Sequence, residues 1–154
     1  MKAPNFSLSD QNGKSHSLSG YKGKWIIIYF YPKDFTPGCT KEACGFRDKG
    51  SEFKKRGVSL VGISKDSVVS HKKFAEKYNL NFSLLSDPEH KVIEAYGAWA
   101  KKKFLGREYY GIIRSTFLVS PKGEIVKEYK NVNPLIHSSE ILEDLTRLSP
   151  QKNS

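Results

Sequence analysis

Sulfur is scarce in this chain: its 154 residues hold two cysteines, Cys39 and Cys44, and one methionine. That excludes a framework of disulfide staples, and a chain of this length buries a core without one. Long apolar runs are missing too. The longest, Trp25 to Tyr31, is far too short to cross a bilayer as a helix. The opening Met1-Lys-Ala-Pro-Asn-Phe6 lacks the apolar stretch of a secretion signal. Acid is under-represented, with 16 Asp and Glu against 26 Lys and Arg, which leaves a net charge of +10. No internal repeat, low-complexity tract or linker divides the chain, so one domain over 1–154 is expected, ending in a polar tail at about 150–154.

The positive charge raises the question of a polyanionic partner. The lysines are nevertheless spread over the chain, and the densest cluster, Lys101-Lys102-Lys103 followed by Arg107, has no base-reading motif beside it. A solvated basic surface is the expectation, with neither a nucleic-acid nor a membrane partner. The four histidines, His16, His71, His90 and His137, show no zinc-type spacing with each other or with the thiols, and read as surface or capping residues. No metal and no organic cofactor is expected.

What the chain does contain is an alternation of strand-like and helix-like segments. Phe6–Leu8 and Ser15–Leu18 flank Asn12-Gly13, a strong hairpin signal. Trp25 to Tyr31 is a continuous β-favouring run that ends at Pro32 and reads as a buried central strand. A helix is expected from about Pro37 to Arg56, a strand from Val58 to Ile63, and a helix from Ser67 to Tyr78 with Val68, Val69, Phe74 and Tyr78 inward. A short strand, Phe82 to Leu85, precedes a helix start at Asp87-Pro88-Glu89 that reaches Tyr96 or Ala98. The polar stretch from Ala100 to Tyr110 reads as a loop or irregular insertion. Strands over Ile112–Val119 and Glu124–Tyr129 and a helix over Ser138–Leu148 close the chain, the helix carrying Ile141, Leu142, Leu145 and Leu148 on one face. The order fits an α/β domain of thioredoxin-like fold: a central mixed sheet flanked by helices, with an N-terminal hairpin.

Both cysteines fall in Pro32-Lys-Asp-Phe-Thr36-Pro-Gly38-Cys39-Thr-Lys-Glu42-Ala-Cys44. Thr36 fits a helix N-cap and Pro37 the first helical position, where a missing N–H costs nothing. Cys39 then sits among free N–H groups at the positive end of a helix dipole, an environment that favours the nucleophilic thiolate. Residues five apart on a helix differ by about 7.5 Å of rise and roughly 140° of rotation. A disulfide needs Cα atoms within about 7 Å and converging side chains. With the helix intact, Cys39 and Cys44 cannot bond, and joining them requires the turn to unwind.

Arg114 stands in an otherwise apolar strand-like run, Tyr109-Tyr-Gly-Ile-Ile-Arg-Ser-Thr-Phe-Leu-Val119. Burying a guanidinium without an anion is expensive. Either it points to solvent or it meets a buried anion, for which a Cys39 thiolate and Glu42 are candidates. Thr36 has two possible duties, capping the helix or presenting its hydroxyl to a substrate oxygen. Pro32 either ends the strand or shields the thiolate from water.

These residues carry a resemblance. Pro32-x-x-x-Thr36-x-x-Cys39 matches the peroxiredoxin active-site pattern, and the run from Phe30 to Asp48 resembles its Q-type subfamily, the bacterioferritin comigratory proteins. The likeness extends through Asp87-Pro88, Gly97-Ala-Trp99, Gly111 to Phe117 and Val132-x-Pro134-x-x-His137. That subfamily usually carries several residues before Ala3-Pro-x-Phe6, so a curtailed first strand is expected. The resemblance implies a thiol-dependent peroxidase acting on hydrogen peroxide and organic hydroperoxides. It implies Cys39 as the peroxidatic nucleophile, passing through a sulfenic acid, and Cys44 as the resolving thiol of an intramolecular disulfide. It implies that Thr36 and Arg114 bind thiolate and peroxide, that Gly38 and Cys39 offer backbone N–H donors, that Pro32 closes the pocket, and that Glu42 orients Arg114. It further implies thioredoxin or a similar dithiol as reductant, a monomer and a role in antioxidant defence, while two cysteines in a helix-compatible arrangement suit a reducing compartment and lead to the expectation of a cytoplasmic setting. A thiol–disulfide oxidoreductase on the same fold predicts C-x-x-C, which the four-residue gap here does not provide. A basic interaction module predicts polyanion binding that survives Cys39→Ser.

Overall fold

The computed structural model describes residues 1–135 and 137–148. Its elements are β1 (Ser7–Ser9), β2 (Ser15–Ser17), β3 (Trp25–Phe30), α1 (Pro37–Asp48), α2 (Gly50–Lys55), β4 (Val58–Ser64), α3 (Val68–Tyr78), β5 (Ser83–Ser86), α4 (Lys91–Ala95), β6 (Trp99–Phe104), β7 (Arg107–Ile112), β8 (Ser115–Val119), β9 (Ile125–Lys130) and α5 (His137–Leu148). Seven strands form one sheet in the order β2-β1-β5-β4-β3-β8-β9. The β3–β4 and β4–β5 pairs are parallel, and the pairs outside them are antiparallel. This is the mixed sheet expected of a thioredoxin-like fold. The expected polar tail at 150–154 lies outside the described residues.

The alternation along β3 builds both halves of the core. Ile27, Tyr29 and Tyr31 face one side and pack with Ala43 and Phe46 of α1, Phe74 of α3, and Ile141 and Leu145 of α5. Ile26, Ile28 and Phe30 face the other, against Phe6, Ile63, Ile93, Tyr96 and Phe117. A strand buried on both faces has no polar side to show, which is why this segment reads as one unbroken apolar run. No helix among the described residues is long and apolar enough to cross a membrane. At the N-terminal edge, the short Met1–Ala3 segment makes one isolated bridge, Lys2 to Glu124.

Five expectations need correction. The helix from Pro37 to Arg56 is two helices, broken at Lys49. The Asn81 amide donates to the Arg47 carbonyl there, and a Cβ on Gly50 would lie 2.8 Å from that amide nitrogen. On α3 the buried residues are His71, Phe74 and Ala75, and Val69 is exposed because it stands on the opposite side of the helix. The supposed loop from Ala100 to Tyr110 belongs to an antiparallel hairpin, β6–β7, that stands apart from the main sheet. The run from Ile112 to Val119 is not one strand: β7 ends at Ile112 and β8 begins at Ser115, leaving Arg114 at the bend. The helix expected after Asp87 is only Lys91–Ala95, with the Asp87 carboxylate accepting from the Ile93 N–H at 2.8 Å.

Candidate active site

The central strand β3 delivers the chain to Pro32, and a five-residue loop returns it as α1 at the carboxyl end of the sheet, where open α/β folds place their sites. Thr36 is the N-cap residue and Pro37 the first helical residue. The first bond of the helix runs from the Thr40 N–H to the Thr36 carbonyl at 2.8 Å. The N–H groups of Gly38 and Cys39 precede it and have no acceptor within the helix. Cys39 is 1% exposed.

Arg114 resolves in favour of the buried anion. One guanidinium nitrogen, Nη2, lies 3.2 Å from Cys39 Sγ, and Nη1 lies 2.6 Å from Glu42 Oε1. Glu42 sits one turn beyond Cys39, so both acceptors occupy the same face of α1. Burial pushes the Glu42 carboxyl up to about 7, although the Arg114 charge and hydrogen bond pull it down. The reason is local: Oε2 is buried with no hydrogen-bond partner, while only Oε1 meets the guanidinium. Burial also works against the charge on Arg114, yet Glu42 and the Cys39 sulfur outweigh it and hold its pKa above the ordinary guanidinium value. The two partners thus point in opposite directions. The arginine stays charged, and the carboxyl half of the pair changes protonation near neutrality.

Gly38 belongs to the same cluster. A Cβ there would lie 3.3 Å from Arg114 Nη2 and 3.6 Å from Pro134, so the small residue lets the guanidinium lie over the first turn. Thr36 does not cap the helix with its side chain, as the sequence suggested. Its hydroxyl donates instead to the Lys33 carbonyl at 2.7 Å, which ties the loop to itself and leaves the hydroxyl oxygen's lone pairs free. Pro32 is half-buried just past β3. Cys44 is half-buried further along α1, and both thiols are free, as an intact helix requires.

Sequence reasoning missed the group that holds the loop. The Tyr31 hydroxyl donates to Asp34 Oδ1 at 2.6 Å, and His71 Nδ1 and the Ser70 hydroxyl meet Asp34 Oδ2 at 2.7 and 2.8 Å. The Asp34 N–H donates to Asp66 Oδ2, which also accepts from the Ser64 hydroxyl. His71 and His137 are both fully buried, contrary to the surface role expected of them. His71 Nε2 faces the Leu85 carbonyl, and His137 links Thr116 of β8 to Glu140 of α5. Burial holds His137 below its usual pKa. Asp34, Asp66 and His71 lie close enough together to hold a cation, but these hydrogen bonds already occupy their ligand atoms. A buried histidine on an amphipathic helix was the one signal available. Lys102 was also missed. It turns inward from β6, with Nζ 2.6 Å from the Ile112 carbonyl, and burial followed by the Arg114 charge lowers its pKa while the Cys39 sulfur opposes the shift.

A buried cysteine in the first turn of a helix, braced by an arginine at the carboxyl end of a thioredoxin-like sheet, defines a thiol-dependent peroxidase. The AhpC/TSA family model matches residues 1–128, and the chain belongs to that family. It is 49% identical over 148 residues to the peroxiredoxin Bcp of Bacillus subtilis, covering 96% of this chain and 94% of that one. It is 45% identical over 140 residues to the peroxiredoxin Bcp of Escherichia coli K12, covering 91% and 90%. A solved structure of the Xanthomonas campestris bacterioferritin comigratory protein, described for its alkyl peroxide reduction activity, superposes with a TM-score of 0.90 at 38% identity over 94% of this chain and 92% of that one.

Proposed function

We propose that Cys39 is the peroxidatic nucleophile of this thiol peroxidase and that Cys44 resolves it. The Cys39 thiolate attacks one peroxide oxygen, the O–O bond breaks, and the leaving alkoxide or hydroxide takes a proton to become alcohol or water. The sulfur, oxidised by two electrons, becomes a sulfenic acid. Arg114 holds the attacking sulfur and the substrate, the Gly38 and Cys39 N–H groups donate to the peroxide oxygens, and the Thr36 hydroxyl swings from Lys33 to the substrate. Glu42 orients Arg114, and Pro32 closes the pocket against water.

The Cys44 thiol then displaces water from the sulfenic acid, and a disulfide forms. Because both residues lie on the continuous helix α1, this step requires its first turns to open. A dithiol such as thioredoxin returns both cysteines to thiols by exchange. Hydrogen peroxide and organic hydroperoxides are the substrates, and the enzyme acts as a monomer in the cytoplasm without metal or organic cofactor. The observation that carries this reading is the Arg114–Cys39 contact at 3.2 Å, made between residues 75 positions apart.

Intact-mass measurement after a stoichiometric dose of peroxide tests it. A loss of two hydrogens, mapped to a Cys39–Cys44 bond, is expected. A stable sulfenic acid or a covalent dimer overturns the local resolving step. Cys39→Ser should abolish turnover, and Cys44→Ser should allow one round of oxidation but not thioredoxin-driven recycling.

A further inference from the structure

The β6–β7 hairpin is the part of the fold that the peroxidase chemistry leaves unexplained. Its base is anchored: Trp99 stacks on His90 with ring centroids 4.0 Å apart, and Ile112 opposite it is buried. From there outward the side chains become exposed, and Phe104, Leu105, Tyr109 and Tyr110 are four of the nine large apolar residues left exposed among the described residues. Leu105, at the tip, is 87% exposed.

The backbone at the tip sharpens the point. Phe104 pairs with Arg107 across a two-residue turn in which Leu105 has φ 51° and Gly106 φ 79°. Two left-handed residues make the type I′ hairpin turn, for which Asn-Gly or Asp-Gly is preferred. A leucine in the first position is strained by roughly 1–2 kcal/mol, and here no buried contact offsets that. Fold stability therefore gives no reason for leucine at this site.

Charge indicates what the tip meets. Lys103 precedes Phe104 and Arg107 stands opposite it; neither makes an ion pair among the described residues, since Glu108, the one acid of the hairpin and the residue opposite Lys103, is engaged by Lys101. Lys102 is turned inward to the Ile112 carbonyl and takes no part. Leu105 thus leads, Phe104 and Arg107 stand level behind it, Lys103 follows one residue further back, and Tyr109 and Tyr110 lie within about 10 Å of Arg107 at 3.3 Å per strand residue. That arrangement suits a lipid surface: an apolar tip for the acyl boundary, with cations and amphipathic aromatic rings at the level of the anionic headgroups. A second copy of the hairpin would bring Lys103 and Arg107 against their own like, and Leu105, the most exposed apolar side chain of the hairpin, offers no stacking face to a nucleic-acid base.

We infer that the β6–β7 hairpin is a peripheral docking site for an anionic phospholipid bilayer, with Phe104 and Leu105 entering the interface and Lys103 and Arg107 meeting the headgroups. For this hairpin it replaces the expectation of no membrane contact. Two residues beyond β7 stands Arg114, so docking brings the peroxidase site to a lipid surface. The inference concerns binding alone and does not depend on the assignments at Cys39.

The test is co-sedimentation of the reduced protein, without peroxide, on vesicles of phosphatidylcholine with or without phosphatidylglycerol. Binding is expected only with phosphatidylglycerol and should weaken as salt is raised. Leu105→Asn suits the turn and should fold at least as stably, yet lower vesicle partitioning about tenfold by removing the buried apolar side chain. Lys103→Gln with Arg107→Gln should lower it on the order of 20-fold. Both variants should reduce hydrogen peroxide in solution at the parent rate. Unchanged vesicle binding by Leu105→Asn, or equal binding to vesicles of phosphatidylcholine alone, overturns the inference. So does a Leu105-dependent self-association without lipid, or a Leu105-dependent capture of single-stranded RNA.

Discussion

Two buried polar clusters flank the active-site loop, and they differ in one respect. Around Asp34, the carboxylate oxygens, the Tyr31 and Ser70 hydroxyls and both ring nitrogens of His71 have partners. Around Cys39, Glu42 Oε2 has none, and Tyr29 Oη, buried within reach of the Glu42 and Cys39 charges, has none either. The only other such side-chain atoms among the described residues belong to Arg56, beyond α2. A satisfied network is rigid and holds the loop, whereas an unsatisfied one leaves donors and acceptors available to a reacting molecule. The strain falls on the same loop. Phe35, between the two clusters, has φ 66°, with its ring packed edge-on against Phe74 at 5.1 Å. The Asp34 cluster is the scaffold that holds that backbone, and the Cys39 cluster, proposed above as the reactive one, lies at the helix start that follows it.

Asp34→Ala tests the scaffold side with the largest expected effect. It leaves two buried donors, Tyr31 and His71, and the half-buried Ser70 without their acceptor and should cost about 3–5 kcal/mol in urea unfolding, as when one partner of a buried pair is removed. A loss under about 1 kcal/mol would erase the contrast, since that is the scale of a single ordinary hydrogen bond. On the reactive side, Arg114→Ala should slow Cys39 oxidation on the order of a hundredfold, by analogy with loss of one preorganised donor at a reacting centre. Stopped-flow fluorescence or competition kinetics reads this, and an unchanged rate would assign the arginine to structure.

Glu42 gives a pH signature that Asp34 should not share. Its folded-state pKa is raised from 4.5 to about 7, so the folded protein binds the proton more tightly than the unfolded chain. The resulting stabilisation is complete below pH 4.5 and is lost as the pH rises through about 7. The stability of the native protein relative to Glu42→Gln should therefore fall across that window, and a flat difference would mean that the carboxyl is not burdened by burial. The smallest effect belongs to Thr36→Val, which removes the bond to Lys33 and should cost about 1 kcal/mol. If the hydroxyl also serves the peroxide, Thr36→Ser will restore the oxidation rate, whereas loss of the loop bond alone leaves that rate near the parent value in both variants.

Legibility followed the range of the interactions. Thr36-Pro37-Gly38 placed the start of α1 to the residue because N-cap and first-turn preferences act within one helical turn. The β3 run was readable because a doubly buried strand writes its burial directly into composition. The β6–β7 hairpin was not, because a hairpin exposed along most of its length has no buried face and hence no alternation. The same absence hid Lys102, whose inward turn is set by one carbonyl across the hairpin.

The sequence by itself determined that a thiol would sit in the first turn of a helix at the end of a central strand, and that an intact helix would keep it from its partner thiol. These follow from backbone geometry over a few residues. Only the tertiary structure decided that Arg114 meets Cys39 and Glu42 rather than solvent, that half of Glu42 is buried without a partner, and that the lysine cluster projects on a hairpin. Each of these depends on segments far apart in the chain being packed into one low-dielectric volume or held out of it. Local propensity carries no information about that placement.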